Sequence, residues 1–305
     1  MRAVDLFAGW GGTTLGAERA GIRVVWAANH KPLAVRAHRL NHPATEHSCQ
    51  DLTQANWAEL PDYDLLLASP ECPADSQAAQ PARKANPKIR QRHDDSRATA
   101  WAIVSCADAT EPQKFFIENV LDFRRWRLYP QWRAALEALG YRLQELVLTA
   151  SEHGVPQRRK RLFILGELGA WPRVRLPKQR EVPFGPCVQW DEGDWRPLCE
   201  ASPGAQRRIR RARARCGSQF LTQHVTNHPG VPLTEPMRTI TTKDQWAVVN
   251  GNTYRPFTIR EYARGMGFPD HYTWPDDVNR KKVIKGLGNA VPPPLAHQIL
   301  ERFAA

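Results

Sequence analysis

The chain predicts an α/β fold: a mostly parallel sheet flanked by helices, with a smaller lobe attached. Three observations carry that expectation. Short apolar runs alternate with helical patterns up to about residue 166. A glycine-rich turn, Gly9-Trp10-Gly11-Gly12, follows the first apolar run, and after Gly169 the sequence becomes rich in Pro, Trp and Arg. With 305 residues, 42% of them hydrophobic, the chain can bury one sizeable core and a lesser one.

Taken in order, Asp5-Leu6-Phe7-Ala8-Gly9 closes the first strand, and the turn leads into a helix from Thr13. Glycines there let the backbone approach a ligand, because they lack side-chain bulk and tolerate positive φ. A tight connection with no ligand would read the same way. The second strand, 23–28, ends in Asn29-His30-Lys31, and Asp51-Leu52 follows further on. Two strand ends and a glycine turn then converge as in a nucleotide-type crevice.

The apolar run 63–68 delivers Pro70-Glu71-Cys72 to the start of a loop. A thiol at a strand end suits a reactive cysteine, although a lone cysteine also serves as a small buried hydrophobe. Residues 73–93 are polar and read as a mobile cover, with Arg83, Lys84, Lys88, Arg90 and Arg92 suited to phosphates or to a solvated loop. A further strand, 115–120, carries Glu118 at its end, where it could also simply cap the chain. A helix over 131–139 feeds a strand over 141–148. The run Gln157-Arg158-Arg159-Lys160-Arg161 enters a strand at Leu162, and alternation predicts Arg159 and Arg161 on one side. Arginines entering a buried strand need partners.

Residues 171–250 lack the alternating texture and form the small lobe. Its boldest element is 205–215, with Arg207, Arg208, Arg210, Arg211, Arg213 and Arg215 and no acid, a pattern of a nucleic-acid surface or of an exposed basic helix. From residue 256 the helical pattern returns, and a last helix over 291–303 is expected to pack back on the first domain. That predicts a discontinuous catalytic domain, 1–169 with 255–305, around a target-recognition domain, 170–254.

The balance of 43 Lys+Arg against 31 Asp+Glu, a formal +12, suits a polyanionic partner. Six cysteines without close pairs argue against a zinc ribbon or disulfide framework and fit a reducing cytosol, and no metal is expected. No apolar stretch is long enough to span a membrane, and no signal peptide is read at the amino terminus.

Seven motifs in a fixed order then resemble the DNA cytosine-5 methyltransferase family. They are DLFAGWGG at 5–12, Pro70-Glu71-Cys72, Asp95-Ser96-Arg97-Ala98-Thr99, Glu118-Asn119-Val120, Gln157 to Arg161, Pro236-Met237-Arg238-Thr239-Ile240-Thr241, and Gly288-Asn289-Ala290-Val291-Pro292. The resemblance implies a Rossmann-like S-adenosylmethionine-dependent methyltransferase sheet with a small target-recognition lobe. It implies that Cys72 adds to carbon 6 of a flipped cytosine in double-stranded DNA, activating carbon 5 for methylation. Glu118 would contact ring N3, and Arg161, with Arg159, would hold the base oxygen or orient the catalytic groups.

S-adenosylmethionine, leaving as S-adenosylhomocysteine, would be bound by Asp5, Phe7, Ala8, Gly9, Gly11, Gly12, Asn29, His30, Lys31, Asp51, Leu52, Pro70, Asn289 and Ala290. Arg83, Lys84, Lys88, Arg90, Arg207, Arg208, Arg210, Arg211, Thr241 and Thr242 would contact DNA. The resemblance further implies a cytoplasmic, nucleoid-associated monomer of a bacterial or phage-infected cell, of restriction-modification, orphan or phage type.

The chain departs from the family pattern at two places. Pro73 stands where relatives carry glutamine after the cysteine, and His30-Lys31 stand where an acid and an aromatic ring usually hold the ribose and adenine. Two alternatives stay open at this point: an RNA-directed relative acting on tRNA cytosine, and a catalytically silent DNA-binding relative.

Overall fold

The computed structural model describes residues 1–70, 98–225 and 227–305. Two compact units emerge, one of Met1–Leu148, Lys160–Leu176 and Ala296–Ala305, the other of Thr149–Arg159 and Pro177–Leu295.

The first unit is built on seven strands: β1 (Arg2–Leu6), β2 (Arg23–Ala28), β3 (Glu46–Ser48), β4 (Leu65–Ala68), β5 (Lys114–Asn119), β6 (Tyr141–Thr149) and, after the two-residue β7 (Gln157–Arg158) of the other unit, β8 (Lys160–Leu168). They lie in the order β3-β2-β1-β4-β5-β8-β6. β1 pairs in parallel with β2 and β4, β2 with β3 and β4 with β5, whereas β5 and β8 are antiparallel. The order therefore reverses between β1 and β4, which makes their carboxyl ends the place where such a sheet opens a crevice. β4, Leu65-Leu66-Leu67-Ala68, is buried throughout, as a strand covered on both faces requires.

The helices of this unit follow from local signals. α1 (Gly12–Arg19) starts from Gly11, whose φ of 76° only glycine adopts without strain. α2 (Pro32–Asn41) has proline at its first position, where φ is preset and no amide bond is lost. α3 (Trp101–Thr110) and α4 (Tyr129–Ala138) add Ile103, Cys106, Trp132 and Leu136 to a core shared with Val4, Leu66, Phe115 and Ile164.

The second unit holds an antiparallel five-stranded sheet, ordered β11-β10-β13-β14-β9. Its strands are β9 (Arg196–Pro197), β10 (Gln219–Gln223), β11 (Val231–Pro232), β13 (Trp246–Asn250) and β14 (Thr253–Pro256). β12 (Met237–Arg238) instead pairs in parallel with β7. α5 (Pro203–Cys216) buries Ile209 and Ala212 in a small core with Leu198, Ala201, Phe220 and Val249. α6 (Ile259–Gly265) is capped by Thr258 and Glu261 in a reciprocal box. The same Glu261 forms a fully buried, two-bond ion pair with Arg255, at 2.7 and 2.8 Å. α7 (Arg280–Asn289) and α8 (Pro293–Ala304) follow, and the last residues of α8 belong to the first unit, where Lys114 Nζ donates to the Phe303 carbonyl (2.7 Å).

One expectation needs correction. Alternation from Arg159 to Arg161 predicted a shared side, but the chain leaves strand geometry at Arg159, between β7 and β8. A period of two does not run through that break, so the two arginines engage different partners, described below.

Candidate active site

The loop after β1 is shaped by positive φ at Phe7 (59°), Gly9 (57°) and Gly11 (76°). A left-handed Phe costs about 1 to 2 kcal/mol, and the burial of Phe7 in the first unit's core offsets this. The loop is stitched to the second strand by Ala8 N donating to the Ala28 carbonyl (3.0 Å) and folded on itself by Gly11 N donating to the Ala8 carbonyl (3.0 Å). Ala8, Gly9, Ala28, Asn29, Val35 and His47 line a small recess beside it.

Asn29 Oδ1 accepts from Lys31 N (3.0 Å) and turns the chain into α2, leaving His30 and Lys31 exposed. Asp51 lies beyond β3, where Thr53 N and Oγ1 (3.0 and 2.8 Å) hold its carboxyl below the usual range, and Leu52 beside it is buried. Open backbone and an ionised carboxylate suit an adenosyl group, whereas His30 stands where the family pattern has an acid and Lys31 where it has an aromatic ring.

Asp5 is fully buried beneath this loop. Its Oδ2 accepts from Thr14 Oγ1 (2.7 Å), which also meets His38 Nε2 (3.0 Å), and His38 Nδ1 meets His47 Nε2 (2.8 Å). Burial pushes the Asp5 carboxyl up to about 7, with the Thr14 hydroxyl and the nearby His42 acting against it. Burial, with His42 and His47 nearby, pulls His38 well below the usual histidine range. Alongside, His42 Nδ1 meets Glu18 at 2.9 Å. Thr14, His38 and His47 were missed in the sequence reading; the spacing of His38, His42 and His47 was the signal available.

The placement of the predicted site residues of the first unit follows from strand register. Ala68 of β4 stands beside Ile117 of β5, so Ser69-Pro70 and Glu118-Asn119 leave neighbouring strand ends. Asn119 Nδ2 donates to the Pro70 carbonyl (3.2 Å) and fixes the residue two before Cys72. In the antiparallel β5–β8 pair Asn119 faces Leu162, and Arg161 Nε lies 3.1 Å from Glu118 Oε1, with both side chains largely buried. Cys72, Arg83, Lys84, Lys88 and Arg90 lie outside the described residues.

Arg159 belongs to the second unit and is buried. Its guanidinium donates to three carbonyls, those of Ile240 (3.0 Å), Gly288 (3.0 Å) and Ala290 (3.2 Å). Gln157 adds two more ties, Nε2 to the Gly265 carbonyl (2.7 Å) and Oε1 from Ile240 N (3.0 Å). The QRRKR, TIT and GNAV motifs are thus bound together by side chain to backbone bonds. Gly288 is needed there because a Cβ would fall 2.3 Å from the Thr241 carbonyl oxygen and 2.8 Å from Thr242 N. Thr241 and Thr242 are half-buried, Ala290 is buried and Asn289, the last residue of α7, is exposed. On α5, Arg207, Arg210 and Arg211 are exposed and Arg208 is half-buried.

A model of the family described as C-5 cytosine-specific DNA methylase matches residues 1–182 and 197–305. The chain belongs to this family. It is thus a methyltransferase acting on carbon 5 of cytosine in DNA, and its family draws the methyl group from S-adenosylmethionine. This methylase is 29% identical to the Type II methyltransferase M.NlaX of Neisseria lactamica, across 100% of the chain and 96% of that protein. It is 26% identical to the Type II methyltransferase M.HhaI of Haemophilus parahaemolyticus, across 95% and 90%.

Among solved structures, the methylase shares its fold with a prophage-encoded E. coli protein assigned to DNA modification (TM-score 0.75, 19% identity, 100% and 98% covered). It shares it also with the Dnmt2 methyltransferase of S. pombe (TM-score 0.70, 20% identity, 99% and 97% covered). Both are likenesses of fold, that of S-adenosylmethionine-dependent methyltransferases. Among the described residues no helix is long and apolar enough to cross a membrane, and no cluster of three His, Cys, Asp or Glu could hold a metal ion.

Proposed function

We propose that this methylase works through Cys72 as the nucleophile and Glu118 as the group at ring N3, with Arg161 holding Glu118 in place. The observation that carries this reading is the Arg161–Glu118 ion pair at 3.1 Å, set where Asn119 also grips the Pro70 carbonyl. Carbon 5 of cytosine is a poor nucleophile. The Cys72 thiolate therefore adds to carbon 6, and the displaced π electrons move toward N3, where Glu118, protonated as the base binds, donates a hydrogen bond or its proton; Arg161 pairs with the carboxylate that the transfer leaves. S-adenosylmethionine supplies an electrophilic methyl on a sulfonium centre. Once carbon 5 carries that methyl, a base removes its proton, the bond from Cys72 Sγ to carbon 6 breaks, and the aromatic ring returns.

Within the described residues of the first unit, the loop from Phe7 to Gly12 with Asn29, Asp51 and Pro70 would hold the cofactor. Asp5 acts from beneath the loop as a positioning residue, because its carboxylate is wholly buried. Arg159 is likewise a positioning residue, committed to three carbonyls. Residues 170–254 serve as the target-recognition segment on a catalytic part made of 1–169 and 255–305. The substrate base is flipped out of a duplex, since carbon 5 cannot be reached within the stack. The Type II names of the relatives support a place beside a restriction endonuclease in a bacterial or phage-infected cell. The protein is read as a cytoplasmic, nucleoid-associated monomer.

The test is nucleoside mass spectrometry after incubation with S-adenosylmethionine and either duplex DNA or tRNA. 5-Methylcytosine in the duplex alone supports the reading, and product in tRNA alone overturns it.

A further inference from the structure

The six arginines of α5 fall into two groups. Arg213 donates to the Gly251 carbonyl (2.6 Å), Arg215 pairs with Glu235 (3.4 Å) and Arg210 donates to Gln206 one turn back (3.0 Å). Arg207, Arg208 and Arg211 instead line a concavity of about 560 Å³, together with His224, Asn227 and His228.

Arg208 differs from its two neighbours in how it is held. Its Nε donates to Oγ1 of Thr222 (3.1 Å), a fully buried residue of β10. Among the described residues no carboxylate pairs with it, and its two terminal amino groups have no protein acceptor. Burial, with no acid to compensate, holds its guanidinium below the ordinary arginine range. The histidines nearby add no cation. His228 Nδ1 accepts from Gln223 N and Gly230 N (3.4 and 3.2 Å), and burial with nearby Arg238, Arg208 and Arg215 pulls it down to about 4. Burial and Arg208 also pull His224 down, against Asp244.

A phosphate contact needs charge and tolerates a swinging side chain, whereas a base edge is read by a planar fork at a set orientation. Arg207 is exposed and has no hydrogen bond or ion pair among the described residues, which suits a phosphate. Arg211, held loosely by Asn227 Oδ1 (3.0 Å), suits another.

We propose that Arg208 is a specificity-determining residue: its fork, oriented by Thr222, reads the O6 and N7 acceptors of one guanine in the major groove, while Arg207 and Arg211 hold flanking phosphates. The inference rests on duplex DNA being the substrate.

Bisulfite sequencing of DNA from cells expressing wild type, Arg208→Lys, Arg208→Gln, Thr222→Val and Arg207→Ala tests it. Wild type is expected to require a guanine at one position of its site. Both Arg208 variants should spread methylation to sites lacking that guanine, with discrimination there reduced about tenfold or more. Thr222→Val should relax the same position to a lesser extent, and Arg207→Ala should lower methylation evenly at all sites. Arg208 variants that lower every site alike, or a wild-type site with no required guanine, would overturn the proposal. If the Arg208 variants methylate nothing, Thr222→Val decides: relaxation at one guanine supports the assignment and an unchanged profile refutes it. A wild type that leaves all DNA unmodified would defeat the DNA reading itself and this inference with it.

Discussion

Arg161 Nε lies 3.1 Å from Glu118 Oε1, with the two side chains only 14% and 9% exposed. Breaking such a largely buried pair from one side leaves a charge without a partner, at a cost of about 3 kcal/mol. Glu118→Gln and Arg161→Ala are each expected to lower kcat by a factor on the order of a hundred or more. The double variant should be far less impaired than the product of the two, because the residues act as a unit. Single-turnover kinetics on the four proteins gives the coupling; simple additivity would show that Arg161 does not act through Glu118.

Arg159 should behave as a structural staple. Its removal leaves three buried carbonyls without a donor, each bond to a charged group being worth about 1.5 to 3 kcal/mol. Arg159→Met is expected to lower the urea midpoint by several tenths of a molar or more. An Arg159→Met protein as stable as wild type, yet inactive, would place Arg159 in the chemistry instead.

Gly288 admits no side chain, since a Cβ would stand 2.3 Å from the Thr241 carbonyl oxygen. Neither backbone can yield without breaking the bonds that Arg159 makes to Gly288 and Ile240. Gly288→Ala should therefore cost about 1 to 3 kcal/mol, read as a lower melting temperature, whereas Gly204→Ala, in open space on α5, should be silent.

Acid stability tests the buried chain under the loop after β1. The folded Asp5 titrates near 7 and the unfolded one near 3.8, so the folded state binds the extra proton between these values. Asp5 thus contributes stability that is fully present below about 3.8 and lost as pH rises through about 7. His38, pulled below 6.5 by burial, acts the other way: its contribution is present above 6.5 and lost as pH falls. Asp5→Asn removes the first contribution and leaves the second. Its stability should fall more steeply than wild type on acidification from pH 7 to pH 4 in urea titrations. Parallel profiles would mean that Asp5 is ionised in the folded protein.

Lys31 is exposed at the start of α2, and in the proposed cofactor site it stands where the family pattern has an aromatic ring. Lys31→Trp is expected to tighten S-adenosylmethionine binding by about 1 kcal/mol, with turnover improved only at low cofactor concentration. Calorimetry showing weaker binding by the variant would refute the lost-platform account.

The sheet of the first unit was legible because its strands, apart from the three-residue β3 and the mixed polar and apolar β6, are four to nine residues built on an apolar run. The second unit was not, because β7, β9, β11 and β12 are two residues long and show no period. Glu118 and Arg161 were singled out by their motifs, and their pairing follows from the β5–β8 register, which no spacing reveals. The separate task of Arg159 was invisible for the same reason: its partners lie 81 to 131 residues away. Thr14, His38 and His47 join only when α1, α2 and β3 are folded together, so their link to Asp5 could not be read along the chain.

The covalent step through Cys72 is tested most directly with duplex DNA carrying 5-fluorocytosine at the target position, incubated with S-adenosylmethionine and resolved under denaturing conditions. Fluorine cannot leave carbon 5 as a proton does, so the wild-type protein should remain bonded to the DNA and Cys72→Ser should not. A wild type that methylates ordinary DNA yet never forms a denaturant-stable adduct would contradict the mechanism.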